Sequence, residues 1–114
     1  MWKIEFLYIE DLARLFEGSP LSKLLETNKF DKMRYDLTTY SDIIRILLLY
    51  IYGGIYFDVD VISVDEFPEQ LPVNFAIAED HKKVNNAILR FSKGHQFLWF
   101  LMEEMVSNFF IKAI

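Results

Sequence analysis

Two carboxylates one residue apart, Asp58 and Asp60, follow directly on an apolar run of β-favouring residues, Ile55 to Phe57. A hard divalent cation takes several carboxylate or phosphate oxygens, and an Asp-x-Asp pair supplies some of them. In an unbroken strand the two would share one face. Val61 to Val64 nevertheless continue an apolar course, which places the pair where strand order ends or kinks into a pocket. There, one carboxylate binds the metal directly while the other holds a metal-bound water or a ligand hydroxyl. Chance supplies such a pair readily, and two solvated acids at a strand end is the plain alternative.

The segment before the pair adds context. Residues Ile43 to Tyr52 are strongly apolar and stop at Gly53-Gly54, with Thr39 as the expected N-cap and Asp42 three residues on. On a helical wheel with Arg45 at zero, Ser41 falls at about −40°, Tyr52 at about −20° and Asp42 at about +60°. Leu49 is the apolar residue among them. A polar stripe on an otherwise apolar rod either forms an internal salt bridge or faces a cleft. Asp42 near the helix start also suits the helix dipole and pairs naturally with Arg45 at i+3. The two glycines permit positive φ and close approach of a ligand, and they also end the helix.

The elements that must position these residues are read more coarsely. Phe6 to Ile9 fits a short strand, Asp11 to Phe16 a helical turn stopped by Gly18, and Ser19-Pro20 the cap and first position of a helix reaching about Asn28. Beyond the Asp pair, Val61 to Val64, Phe75 to Ala78 and Val84 to Phe91 read as strands, the last with a possible bend. Phe97 to Phe110 reads as a closing helix with Phe97, Phe100, Leu101 and Met105 inward. Strands alternating with helices make this an α/β chain.

Composition bounds the rest. The 114 residues are 53% hydrophobic and 17% aromatic, too apolar for disorder and short for one ordinary domain, so the expectation is a single partial domain over 1–114. With 17 acidic against 12 basic residues the net charge is −5, and no basic run stands out, which makes nucleic acid a poor partner. Cysteine is absent, so no disulfide or thiolate site exists. The longest apolar run, Ile46 to Phe57, falls well short of the roughly 20 residues that span a bilayer.

Ser41-Asp42 with Arg45, Leu49-Tyr50, Gly53-Gly54-Ile55-Tyr56 and Asp58-Val59-Asp60-Val61, taken in this order and spacing, resemble the donor-binding signature of the DxD-motif sugar transferases. A second stretch, Val84 to Phe91 with Gly94-His95-Gln96-Phe97, resembles the α1,4-transferring branch of that family. The resemblance implies a GT-A type fold, incomplete here at both ends, and a donor sugar carried on UDP. It further implies Mn²⁺ or Mg²⁺ as cofactor and transfer with retention of anomeric configuration to a glycolipid or glycan acceptor. Asp58 and Asp60 would bind metal and nucleotide, Asp60 more directly, while Asp42 and Arg45 would hold the donor sugar and its phosphates. Ser41, Tyr52, Gly53 and Gly54 would line the donor site. Asn85 and Asn86 would border a sugar, or else satisfy turns as amides commonly do.

Relatives in this family begin with a membrane anchor facing the Golgi lumen and continue past the closing helix into a segment that completes the pocket. The expectation is therefore the donor half of a site, in a chain either active as part of such an enzyme or retained only for its fold or for association. An apolar strand ending in Asp-x-Asp also opens haloacid-dehalogenase-type phosphatases, whose first Asp is a nucleophile. Val61-Ile62 after the pair, and a helix carrying Asp42 and Arg45 before it, do not suit that family. His95 beside Gly94 and His81 in a charged loop receive no role.

Overall fold

The computed structural model describes residues 3–8, 11, 14–25, 37–61, 65, 72–78 and 84–112. Among the described residues, helices α1 (Ser22–Leu25), α2 (Leu37–Tyr52) and α3 (Gln96–Lys112) accompany strands β1 (Gly54–Phe57), β2 (Phe75–Ala78) and β3 (Val84–Phe91), and Asp11, Arg14 and Leu15 are also helical, as expected ahead of Gly18. The strands form one antiparallel sheet in the order β1-β3-β2. The α/β reading therefore holds as a small mixed domain. No described helix is long and apolar enough to cross a membrane.

The core lies where α2 and α3 meet one side of the sheet. Ile43, Ile46, Leu47 and Leu49 of α2 form one core with Leu98, Met102 and Val106 of α3, with Leu89 and Phe91 of β3, and with Leu24 of α1 and Phe16 and Leu21 ahead of it. Leu89 and Phe91 are two apart, so strand alternation turns both toward the helices. Leu98, Met102 and Val106, spaced i, i+4, i+8, form the buried stripe of α3.

That stripe corrects the sequence expectation for α3. Leu101 and Met105 do pack at the edge of the core, but Phe97 and Phe100 are 45% and 52% exposed, while Leu98 and Met102 are fully buried. The helix is apolar nearly all round, so periodicity could not select the face; contact with α2 did. Phe100→Ser is accordingly expected to change the unfolding free energy in urea by less than about 0.5 kcal/mol.

Other elements show why local signals succeeded or failed. Residues 3–8 carry no regular structure and are exposed, against the strand expected at Phe6 to Ile9. A strand persists only when its backbone groups find a partner, and the described sheet offers this segment none. Thr39 lies inside α2, which is already helical at Leu37, so it does not cap it; an N-cap requires non-helical backbone angles. Ser19 does cap as expected. Its Oγ accepts from Leu21 N at 3.2 Å and donates to the Phe16 carbonyl at 2.7 Å, just ahead of α1. The strand expected over Val61 to Val64 is absent at Val61, and 62–64 lie outside the described residues, as does the stretch to Asn28 beyond Leu25.

Two features of the sheet bear on the Asp pair. The register between β2 and β3 jumps between Ala76 and Ile77, which face Leu89 and Asn85 respectively, so β3 bulges away from β2 over 86–88. Within that bulge Ile88 pairs with Phe57, and the Ala87 carbonyl accepts from Asp58 N at 2.9 Å. Asn85 Oδ1 in turn accepts from Ala87 N at 2.7 Å, which fixes the bulged backbone. The expected bend in this strand is thus real, and it serves β1.

The second feature is the end of α2. Gly53 adopts φ +68° and its N–H reaches the Leu49 carbonyl at 2.8 Å, a left-handed C-terminal residue of the kind glycine provides. The Tyr50 carbonyl accepts from Gly94 N at 2.8 Å, so the turn leading into α3 closes the helix end from outside. His95 belongs to that turn: its Nδ1 accepts from Phe97 N at 3.1 Å and its ring meets Phe91 edge-on.

Candidate functional site

Helix, glycine, strand and acidic end follow one another as the sequence indicates, and together they bring the polar stripe against the Asp pair. β1 ends at Phe57; Asp58 follows it, and Val59 and Asp60 form a turn closed by Val61 N to the Asp58 carbonyl at 3.0 Å. The pair therefore sits at a strand end, where its carboxylates are not committed to a sheet face.

Arg45 is the centre of the arrangement. Its side chain is only 7% exposed, and it makes ion pairs with Asp42 Oδ1 at 3.3 Å and with Asp58 Oδ1 at 3.2 Å. It also donates through Nη2 to Ser41 Oγ at 2.9 Å and through Nε to the Ser41 carbonyl at 3.2 Å. A guanidinium buried this far needs several acceptors, and a fork of five N–H groups can serve them simultaneously. Asp42 at i−3 is half-exposed, so this bond alone would contribute little. The pairing with Asp58 matters more, because it connects α2 to the exit of β1 across the Gly53-Gly54 turn.

Tyr56 completes the group. Its ring lies beneath the Arg45 guanidinium, 4.4 Å from centroid to Cζ, and its hydroxyl donates to Asp58 Oδ1 at 2.6 Å. Burial first, and then the bond to Asp58, push the Tyr56 hydroxyl above the ordinary tyrosine range, so it remains a proton donor at neutral pH. Sequence reasoning placed Tyr56 within the motif without giving it work to do. The available signal was strand alternation: Tyr56 and Asp58 are two residues apart, and the i, i+2 rule puts both on the side facing α2.

A cavity of about 290 Å³ adjoins this cluster, lined among others by Arg45, Leu48, Tyr52, Gly53 and Tyr56, with Glu5 and Leu7 of the N-terminal segment as its further wall. The polar stripe therefore does both things anticipated of it, pairing internally and facing a cleft. Ser41, Asp42, Arg45 and Asp58 form one bonded set, and Tyr52 and Gly53 join Arg45 at the cavity. Gly54 opens β1 at φ +112°. Asn85 is engaged with the backbone of β3 as described, and the side chain of Asn86 lies outside the described residues.

Asp60 differs from Asp58 in every respect that affects a ligand. It is exposed, with no ion pair or hydrogen bond among the described residues, whereas Oδ1 of Asp58 already accepts from Tyr56 and Arg45. No third His, Cys, Asp or Glu gathers with them among the described residues. Two carboxylates suit an ion of the Mg²⁺ or Mn²⁺ kind that keeps several waters and takes its remaining oxygens from a bound diphosphate, and they do not suit an all-protein cage.

Residues 1–89 match the family described as "Glycosyltransferase sugar-binding region containing DXD motif". Human alpha-1,4-N-acetylglucosaminyltransferase is 36% identical over 104 residues, covering 91% of this chain and 30% of that protein. Mouse lactosylceramide 4-alpha-galactosyltransferase is 32% identical over 99 residues, covering 87% of this chain and 27% of its own length. The chain thus spans under a third of these relatives. No solved structure matches it. With the DxD pair at a strand end, the Arg45 bridge to the preceding helix and a family match over most of its length, the chain belongs to the DXD-motif glycosyltransferase sugar-binding family.

Proposed function

We propose that this chain forms the donor-binding part of a retaining, GT-A type glycosyltransferase. The enzyme would move a hexose or N-acetylhexosamine from a UDP-sugar to a glycolipid or glycan acceptor, on the lumenal side of the Golgi membrane. The names of the relatives support an α1,4 linkage and either galactose or N-acetylglucosamine as the sugar. The observation that supports the reading is the bridge from Arg45 to Asp58, which joins the buried cation of α2 to the first aspartate of the DxD pair.

The chemistry assigns roles to the residues. Breaking the bond between sugar and diphosphate leaves negative charge on the departing oxygen, and a divalent ion bound at Asp60 and Asp58 would stabilise it. Arg45, buried and always charged, adds a second fixed positive group beside the cavity. Asp42 and Ser41 orient Arg45 and would accept from or donate to the sugar hydroxyls. In a front-face retaining reaction the departing phosphate takes the acceptor's proton, so no side chain on the donor side need act as a general base.

Calorimetric titration with UDP checks the metal assignment. Binding is expected to require Mn²⁺ and to fall by at least about 100-fold in Asp60→Asn, a loss appropriate to a direct ligand of the ion. Because Asp60 is exposed, its substitution should leave the melting temperature unchanged. Undiminished binding in this variant would remove Asp60 from the site.

A further inference from the structure

We infer that the hydroxyl of Tyr56 is a positioning group of the donor site, acting through Asp58 and Arg45 on the plane of the Asp58 carboxylate. The inference rests on the function proposed above and extends it to a residue with no assigned part. Three contacts close a ring of side chains. The Tyr56 hydroxyl bonds Asp58 Oδ1 at 2.6 Å, Arg45 Nη1 pairs with the same oxygen at 3.2 Å, and the Arg45 guanidinium lies over the Tyr56 ring at 4.4 Å. Each member is thereby held by the other two.

The chemical consequence concerns the carboxylate plane. An aspartate at a strand end can rotate about two side-chain bonds, and a ligand that needs one orientation must then freeze that motion. Engagement of Oδ1 by two donors from different elements, β1 and α2, fixes the plane before any ligand arrives and leaves the other oxygen in a defined orientation. The two donors are not equivalent. Arg45 brings a positive charge that would oppose a cation nearby, whereas Tyr56 holds the same oxygen as a neutral donor and preserves the charge of Asp58. The main chain of Asp58 is held independently by Ala87, so what the hydroxyl adds is the orientation of the side chain.

Tyr56→Phe isolates this contribution, because the ring stays under Arg45 and the strand keeps an aromatic residue. Calorimetric titration of UDP in the presence of Mn²⁺ is to be compared for the full chain, Tyr56→Phe, Asp58→Asn and the double variant, with thermal melting recorded for each. The expected result is about tenfold weaker UDP binding in Tyr56→Phe against the parent, and no further loss, within about twofold, when Tyr56→Phe is added to Asp58→Asn. A residue that merely stabilised the fold would subtract the same amount in both backgrounds.

Either of two results overturns the inference while leaving the proposed function standing: Tyr56→Phe binding within about twofold of the parent, or a tenfold loss that persists in the Asp58→Asn background. A parent chain that shows no Mn²⁺-dependent UDP binding overturns the proposed function itself, and this inference with it.

Discussion

Replacement of Arg45 by Met is expected to abolish Mn²⁺-dependent UDP binding and to lower the melting temperature by about 10 °C, a destabilisation of roughly 2–3 kcal/mol. The side chain is 7% exposed and serves Ser41, Asp42 and Asp58 together, so its loss takes from two neighbouring carboxylates the cation they had shared. Breaking a fully buried ion pair costs more, but Asp58 and Asp42 keep 31% and 40% of their side-chain surface in water, and solvent offsets part of the penalty. The origin of the cost is itself testable. If uncompensated charge dominates, Arg45→Met/Asp58→Asn should recover part of the lost stability, while binding stays lost. Arg45→Lys keeps the charge without the fork, and is expected to restore little of either.

Gly53→Ala is the second large effect, expected to lower the unfolding free energy in urea by about 3 kcal/mol with the slope unchanged. Two costs combine. The backbone sits at φ +68°, where an L-residue is strained, and an added Cβ would lie 2.7 Å from Lys93 N, a main-chain atom that cannot step aside cheaply. Asparagine tolerates that φ better than alanine, and so separates the two causes. Gly18 has a similar φ of +78° with open space around it, so Gly18→Asn should be nearly neutral. Gly53→Asn should recover only the conformational part of the loss and stay clearly destabilising, because the steric obstruction by Lys93 N remains.

Legibility in the sequence followed the range of the interaction concerned. The path from α2 through Gly53 into β1 was readable because it rests on local rules: an amphipathic period, a left-handed terminator, and β-favouring residues. The pairing of Arg45 with Asp42 was readable for the same reason, being one helical turn apart. Its pairing with Asp58 was not, since nothing in either segment states that the strand returns beside the helix; the motif resemblance only placed the two residues in one site. Residues 3–8 had the composition of a strand and lacked a partner. On α3 the apolar residues surround the helix, so the buried side was decided by Leu98, Met102 and Val106 meeting α2, a choice no periodicity contains.

The bulge in β3 has a consequence for how the site can change over evolutionary time. Because β3 pairs 88–91 with β1 and breaks its pairing with β2 over 86–88, the strand works as an address: its register names which residue of the outgoing chain is met by the Ala87 carbonyl. Slipping that register by one residue would deliver Val59 there instead of Asp58, turning the carboxylate away from Arg45 and Tyr56 without altering a single residue of the DxD motif. A variant of this kind would keep the signature intact in sequence and lose the site in space. Asn85, which pins the bulge through Ala87 N, is the residue at which such a silent loss would begin.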